Sequence, residues 1–331
     1  MAGSARVAPV TVAAGDAQSD WVSTTCAVCG PEDATTVFRI PAVGALPETA
    51  VVRCSRCGLR RLSTRPGPAA LAAFYGDQYN AFVGRTRSDR KQRAWNRLRD
   101  AYARPAGYRA GVVDRALLTS LATWALDINV PLRGVSGLKV LDVGCGFGDL
   151  LIYLKSRGCD TTGVDLDPRA AAQAREYGVT VHVGDLADLA LPTAAYDVSV
   201  MCHSLEHVSD PNRELAELAR VTRPGGRLHL AVPNGDAAAL GVEAADWFHL
   251  SYPLHVWFFD ARALSTLLAR HGFTIVVPPR TTSRWHHLTR WMSRVRHAPW
   301  SATATAARIG WRSRHLDAGD VIRLVAERSA S

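Results

Sequence analysis

Two short cysteine turns carry the clearest chemistry in this chain. Cys26-Ala-Val-Cys29-Gly30 and Cys54-Ser-Arg-Cys57-Gly58 repeat one pattern, with 24 residues between the pairs. Two thiolates three positions apart can grip one metal ion from a tight turn, and the glycine that follows can take positive φ so that backbone N–H groups face the sulfurs. Four thiolates suit tetrahedral Zn²⁺, and a closed shell of four leaves no open position for a reaction, so a structural zinc is expected on Cys26, Cys29, Cys54 and Cys57. A redox dithiol and unliganded core thiols are the alternatives. The intervening stretch is longer than usual ribbon spacing, and a β-hairpin would absorb the excess.

A second constellation lies in Asp142-Val143-Gly144-Cys145-Gly146-Phe147-Gly148-Asp149. A glycine-rich turn between strand and helix lets a nucleotide-like group approach the backbone. The dinucleotide fingerprint wants its third glycine where this chain has Asp149. A carboxylate in the first helical turn repels a pyrophosphate, and Asp142 at the strand end suits a cationic amine. Nicotinamide dinucleotides are therefore disfavoured.

The elements needed to hold this turn follow from the pattern. Apolar runs at 138–143, 160–165, 179–183, 196–202 and 227–232 read as strands. They alternate with helices over 149–157, 168–177 and 211–221. Such alternation predicts a parallel sheet covered on both faces. Farther on, a helix at 261–271 feeds a strand at 273–277, and a last strand is expected at 321–325.

The 331 residues, 47% hydrophobic and 21% charged, exclude wholesale disorder and collagen-like or low-complexity architectures. No run of 18 apolar residues exists, so no spanning helix is expected. The first twenty residues lack the form of a secretory signal, which points to a cytoplasmic protein. The net charge of +9 rests on arginine, since only Lys91, Lys139 and Lys155 are lysines. A GC-rich coding sequence and an anionic partner account for that bias equally well.

Taken together, Val140-Leu-Asp142-Val-Gly144-Cys-Gly146-Phe-Gly148 resembles motif I of the class I S-adenosylmethionine-dependent methyltransferases. Gly163-Val-Asp165-Leu-Asp167, Gly184-Asp185-Leu186, Leu205-Glu206-His207-Val208 and Arg223-Pro-Gly225-Gly226 fit the later motifs. The stretch Pro233-Asn234 through Trp247, Pro253-Leu254-His255 and Phe258-Phe259 is similar to a bacterial subgroup acting on sugars and other small molecules. The paired C-x-x-C turns resemble the zinc-ribbon extension of many such enzymes.

The resemblance implies an α/β, Rossmann-like seven-stranded methyltransferase sheet, six strands parallel and one antiparallel, with a small N-terminal zinc ribbon and helical insertions. It implies a disordered tail over 1–22, a ribbon over 23–66, a helical linker or substrate-side region over 67–136 and a donor-binding domain over 137–331. It also implies residue roles. Gly144, Cys145 and Gly146 would meet the methionine portion of S-adenosylmethionine, and Asp142 its amino group. Asp165, with Leu166 beside it, would accept the ribose hydroxyls, and Asp185 with the Leu186 amide would read adenine. Cys202 and His203 would lie beside the sulfonium. A helix cap is the competing role for Asp165 and a turn residue for Asp185, while Asp167 reads as the cap before Pro168.

Transfer to a hydroxyl needs a base, and imidazole suits that task near neutral pH. The candidates are His255, favoured for the acceptor side by the Pro253-Leu254 before it and the Trp257-Phe258-Phe259 after it, His203 and His207, with His249 and Asp246 behind them; a hydrogen-bonded structural role competes for His207. Arg280 to Leu316 holds eight arginines and no Asp or Glu. Within it Trp285, Leu288, Trp291, Met292 and Val295 recur at helical spacing, giving an amphipathic basic lid over 280–316. It could cap the site, contact an anionic acceptor or lie on a membrane surface.

The expected function is methylation of a small molecule, a sugar, nucleotide-sugar or natural-product scaffold, with oxygen favoured over carbon. An RNA base or ribose methyltransferase and a non-catalytic partner protein that kept the fold are the rival readings. Cys202-His203-Ser204-Leu205 stands where amino-group base methylases carry Asn/Asp-Pro-Pro-Tyr/Phe, so nucleic acid is not the expected partner. Acceptor identity and oligomeric state stay open.

Overall fold

The computed structural model of the chain describes residues 20–44, 46–67, 70, 136–282 and 318–330. The 67–136 linker, apart from Gly67, Ala70 and Ser136, and residues 283–316 of the expected lid lie outside the described residues.

Among the described residues the main sheet has seven strands. They are β6 (Lys139–Val143), β7 (Asp160–Asp165), β8 (Thr180–Val183), β9 (Tyr196–Cys202), β10 (Thr222–Pro233), β12 (Phe273–Thr282) and β13 (Val321–Arg328). Their order is β12-β13-β10-β9-β6-β7-β8. β13 runs antiparallel to both its neighbours, and the other pairings are parallel. The expected six-plus-one sheet is therefore present.

Helices α1 (Asp149–Ser156), α2 (Pro168–Glu176), α3 (Pro211–Val221), α4 (Leu240–Glu243) and α5 (Ala261–Arg270) flank it. Their starts are written in the sequence. Asp167, Asp210 and Asp260 each cap a helix by accepting backbone N–H bonds, and proline follows the first two. Such caps are worth ~1 kcal/mol each. Helix α3 turns Leu215, Leu218 and Val221 into the core, and α5 turns in Leu264, Leu267 and Leu268. β10 begins five residues earlier than its apolar run, because the register with β9 shifts between Thr222 and Arg227 and carries the Pro-Gly-Gly turn within the strand.

The cysteine region forms β1 (Trp21–Ser23), β2 (Ala34–Ile40), β3 (Thr49–Cys54), β4 (Arg60–Leu62) and β5 (Thr64–Pro66). β2 and β3 make the hairpin that absorbs the long spacing between the cysteine pairs. Trp21 and Val22, placed in the tail, pair with Pro66 and Arg65, so ordered backbone begins before residue 23. The cysteine region also does not close on itself. Its four-stranded sheet, β11-β4-β3-β2, takes its last strand, β11 (Trp257–Phe258), from far along the chain. The Cys26–Cys29 turn docks on helix ends as well: Asn212 Nδ2 donates to the Ala27 carbonyl at 2.8 Å and Arg270 to the Val28 carbonyl at 2.7 Å.

Candidate functional site

The site lies at the carboxyl ends of β6, β7 and β9, where the strand order reverses direction. That is where open α/β sheets leave a crevice. Leaving β6, Gly144, Gly146 and Gly148 all adopt positive φ, of 75°, 52° and 74°. The Gly144 and Cys145 amides donate to the Val164 carbonyl at 2.8 and 3.1 Å, pinning the turn to β7. A side chain at Gly144 would collide with Ser204, 2.7 Å from its Cβ, while one at Gly146 would point into open space. The crevice therefore meets bare backbone at Gly146. The Cys145 side chain turns inward, since a Cβ on Gly163 would stand 2.6 Å from its Sγ. Burial pushes its thiol pKa up, and the nearby Asp142 and Asp165 add to the shift.

Two carboxylates flank this turn. Asp142 is buried, 6% exposed, and accepts no hydrogen bond from a described residue. Burial, and then the neighbouring Asp165, push its pKa up to about 7. Asp165 accepts the Gly146 amide at 2.7 Å on one oxygen and the Asp167 amide at 2.8 Å on the other. Burial raises its pKa, and those two donors oppose the shift. Asp165 is not the helix cap; Asp167 fills that role through the Arg169 amide at 2.9 Å. Next to Asp165, Leu166 is 44% exposed, an apolar side chain left at the crevice mouth. Asp185 caps the short helical turn Leu186–Asp188 through the Ala187 amide at 3.1 Å. The Leu186 side chain is fully buried, so it can offer only backbone to a ligand.

Across the crevice the imidazoles gather. Cys202 ends β9 beside Ala231, and the His203 amide donates to the Ala231 carbonyl at 2.8 Å. His203 has φ 56°, a left-handed conformation uncommon outside glycine and characteristic of strained functional turns. Its ring is 27% exposed, with Nδ1 3.4 Å from Glu206 Oε1. His249 is stacked on it at 6.1 Å between ring centroids. His207 and His255 meet edge to face at 4.5 Å. Burial lowers both their pKa values, most strongly for His255, which also faces His207 and His249.

One segment fixes this arrangement. The Val256 and Trp257 amides both donate to the Glu206 carbonyl, at 2.8 and 3.2 Å, and Trp257 Nε1 donates to the Val208 carbonyl at 2.8 Å. On the other side the Leu62 amide of β4 donates to the Val256 carbonyl at 2.9 Å. Residues 256–258 are thus clasped between the cysteine region and the loop after β9, and His255 is delivered against His207.

The structure brings His203, His207, His249 and His255 together, whereas Asp246 lies exposed in the short turn Ala244–Asp246. His255, favoured for the acceptor side by sequence, is buried, with Nδ1 held 2.7 Å from the His249 carbonyl. Its Trp257-Phe258-Phe259 flank packs as core instead of opening to the crevice. Glu206 was given no role by sequence reasoning. Its signal was present in Leu205-Glu206-His207, a carboxylate in an otherwise apolar position. In the cysteine region the four sulfurs lie within 4.8 Å of one another, Cys26 and Cys57 at 3.4 Å, and Gly30 and Gly58 both take positive φ. Among the described residues no helix is long and apolar enough to cross a membrane.

Residues 90–277 match the family model described as a methyltransferase domain. A ubiquinone biosynthesis O-methyltransferase of Xanthomonas oryzae is 36% identical over 115 residues, 33% of this chain and 48% of that protein. The protein of the same name from Pseudomonas savastanoi is 38% identical over 129 residues, 34% of this chain and 55% of its own. The matches span about half the length of these curated relatives. Among solved structures, an S-adenosylmethionine-dependent methyltransferase from Mesorhizobium loti has 22% identity and a TM-score of 0.45, over 62% of this chain and 98% of its own. One from Archaeoglobus fulgidus has 19% identity and a TM-score of 0.47, over 65% and 94%. With more than half of its length matched by that model, the chain belongs to the methyltransferase-domain family.

Proposed function

We propose that the protein is an S-adenosylmethionine-dependent methyltransferase that methylates a hydroxyl of a small molecule, a sugar, nucleotide-sugar or natural-product scaffold. The observation that carries this reading is the Asp142 carboxyl, buried and without a donor beside a turn whose bare Gly146 backbone faces open space. A buried carboxyl with a raised pKa favours a cationic ligand, which repays its burial, over a phosphate. The residues fit the donor. Asp142 would hold its amino group, and Gly146 would admit the methionine portion. The Asp165 oxygens each retain a lone pair for one ribose hydroxyl. Leu166 and the Leu186 amide would meet the adenine. When bound, the donor supplies a methyl group on a sulfonium, lost by in-line displacement.

Alignment is the larger share of such catalysis; well-oriented proximity is worth up to ~7–11 kcal/mol. His203 is the base in this reading: its ring is 27% exposed at the end of β9, where that of His255 is buried, and Glu206 lies 3.4 Å behind Nδ1. The curated relatives' names support oxygen as the methylated atom.

Zinc on Cys26, Cys29, Cys54 and Cys57 is the companion proposal. A tetrahedral shell with bonds of ~2.3 Å sets sulfurs ~3.8 Å apart, within the spread found here. Its role is to hold the turns that dock on α3 and α5.

The test is turnover of methyl-labelled donor with a panel of hydroxylated small molecules, followed by mass spectrometry of the product. His203→Ala should lower kcat ~10²–10⁴-fold, the usual contribution of a general base. An unchanged kcat on the accepted substrate would remove His203 from the mechanism, and absence of any labelled product would remove the activity.

A further inference from the structure

Behind His203 three side chains meet that the reading above does not fully use. Glu206, His207 and His255 each offer one ligand atom, and those atoms lie within 4.8 Å of one another. Glu206 is completely buried, yet neither carboxylate oxygen accepts a hydrogen bond. His203 approaches only Oε1, at 3.4 Å. A carboxylate taken out of water with no donor is costly unless a cation sits beside it.

The backbone turns the two imidazoles to the same purpose. His255 Nδ1 lies 2.7 Å from the His249 carbonyl, so that nitrogen carries the proton and Nε2 is left as a bare lone pair. His207 Nδ1 is buried and has no hydrogen-bond partner, so this second imidazole also has a nitrogen available to a ligand. Outer hydrogen bonds of this kind fix the tautomer of metal-binding histidines. The carboxylate and the two imidazole nitrogens thus lie within one small cluster, and a divalent cation among them would satisfy all three.

We propose that Glu206, His207 and His255 bind one divalent transition-metal ion, at a site separate from the four cysteines. Two imidazoles and one carboxylate suit Mn²⁺, Fe²⁺, Co²⁺ or Zn²⁺ better than the all-oxygen cages of Ca²⁺ and Mg²⁺. Three protein ligands leave coordination positions open. They would face the side marked by the half-buried His207 and by the exposed edge of His203. Entry of an acceptor oxygen there rests on the methyl-transfer reading; the ion site itself does not.

The test uses the full chain, its cysteines saturated with zinc, and Mn²⁺ alone as probe, because Mn²⁺ takes nitrogen and oxygen donors and leaves thiolates to zinc. Electron paramagnetic resonance counts the bound ion, and its pulsed form reads nitrogen couplings. The expected result is one tightly held Mn²⁺ per chain with imidazole couplings. Glu206→Gln and His255→Gln should each weaken it by at least the ~10–100-fold that loss of an outer partner costs. Should either variant fail to fold by circular dichroism, the wild-type couplings and His207→Gln decide. No retained Mn²⁺ in the wild type, Mn²⁺ without nitrogen couplings, or undiminished binding in folded variants each overturns the site. S-adenosylmethionine binding, measured on the same samples, depends on Asp142 and Asp165. Loss of either property alone therefore shows which proposal failed.

Discussion

The two walls of the crevice are built in different ways. The wall formed by β6, β7 and β8 draws Asp142, Gly144, Gly146, Asp165 and Asp185 from one short window of chain, at or just beyond strand ends, with Asp165 and Asp185 held by neighbours in that window. The opposite wall is assembled from afar. His203 and Glu206 follow β9, His249 and His255 come from the loop before β11, and β11 is paired with β4 near the N-terminus. The first wall is a local motif that closes on itself, and the second is a junction that exists only when distant segments dock. Damage to the cysteine region should therefore reach the second wall, the proposed acceptor wall, and spare the first, the proposed donor wall.

Removing the metal proposed for the four cysteines tests this contrast most severely. Cys57→Ser, or chelation, should loosen β4 and with it the clasp on residues 256–258. A misplacement of ~1 Å in a reacting group can cost ~10²-fold, so kcat/KM for the acceptor should fall by roughly that factor. Calorimetry should find the donor Kd little changed. An equal loss on both sides would mean that the walls are not independent.

On the donor wall, Asp165→Ala should weaken S-adenosylmethionine binding by ~10–100-fold, the worth of ~1.5–3 kcal/mol for hydrogen bonds to a charged group. Isothermal titration checks this, and the thermal midpoint checks that the fold survives. An unchanged Kd would take the ribose away from Asp165.

The pH dependence comes next. The Asp142 pKa is raised from 3.8 to about 7, so the folded free protein binds more protons than the unfolded chain between those values. Its stability contribution therefore falls as pH rises through that window. A cationic amine selects the ionised carboxyl, so donor binding should weaken up to ~10-fold per pH unit below about 7 and should release a proton. Titrations in buffers of different ionisation enthalpy count that proton. In Asp142→Asn both the release and the pH dependence should vanish.

The smallest effect is expected at the docked turn. Arg270→Ala removes the bond to the Val28 carbonyl and should cost ~1 kcal/mol in denaturant unfolding, with donor affinity unaltered.

The same contrast explains what the sequence could disclose. The placement of Asp142, the three glycines and Asp165 was legible because it follows from position relative to the strand that precedes the turn. The cap Asp167 was as plain for the same reason, sitting just ahead of Pro168, while the caps Asp210 and Asp260 came only with the structure. The acceptor wall was legible in its residue types and not in its geometry. His255 read as an open base because aromatic residues follow it, yet those residues pack inward once β11 joins β4. That pairing joins segments nearly two hundred positions apart, with only two residues of β11 taking part, too short a run to show strand periodicity. Glu206 was read only as part of the Leu205-Glu206-His207-Val208 motif, and its complete burial is what sets it apart.

Calorimetric titration of the wild-type protein with S-adenosylmethionine, its demethylated product and NADH, carried out in parallel, tests the reading of the donor wall most directly. Saturable binding of the first two at one site per chain, with no heat from NADH, is the predicted result. Tight uptake of NADH with neither sulfur compound bound would contradict it.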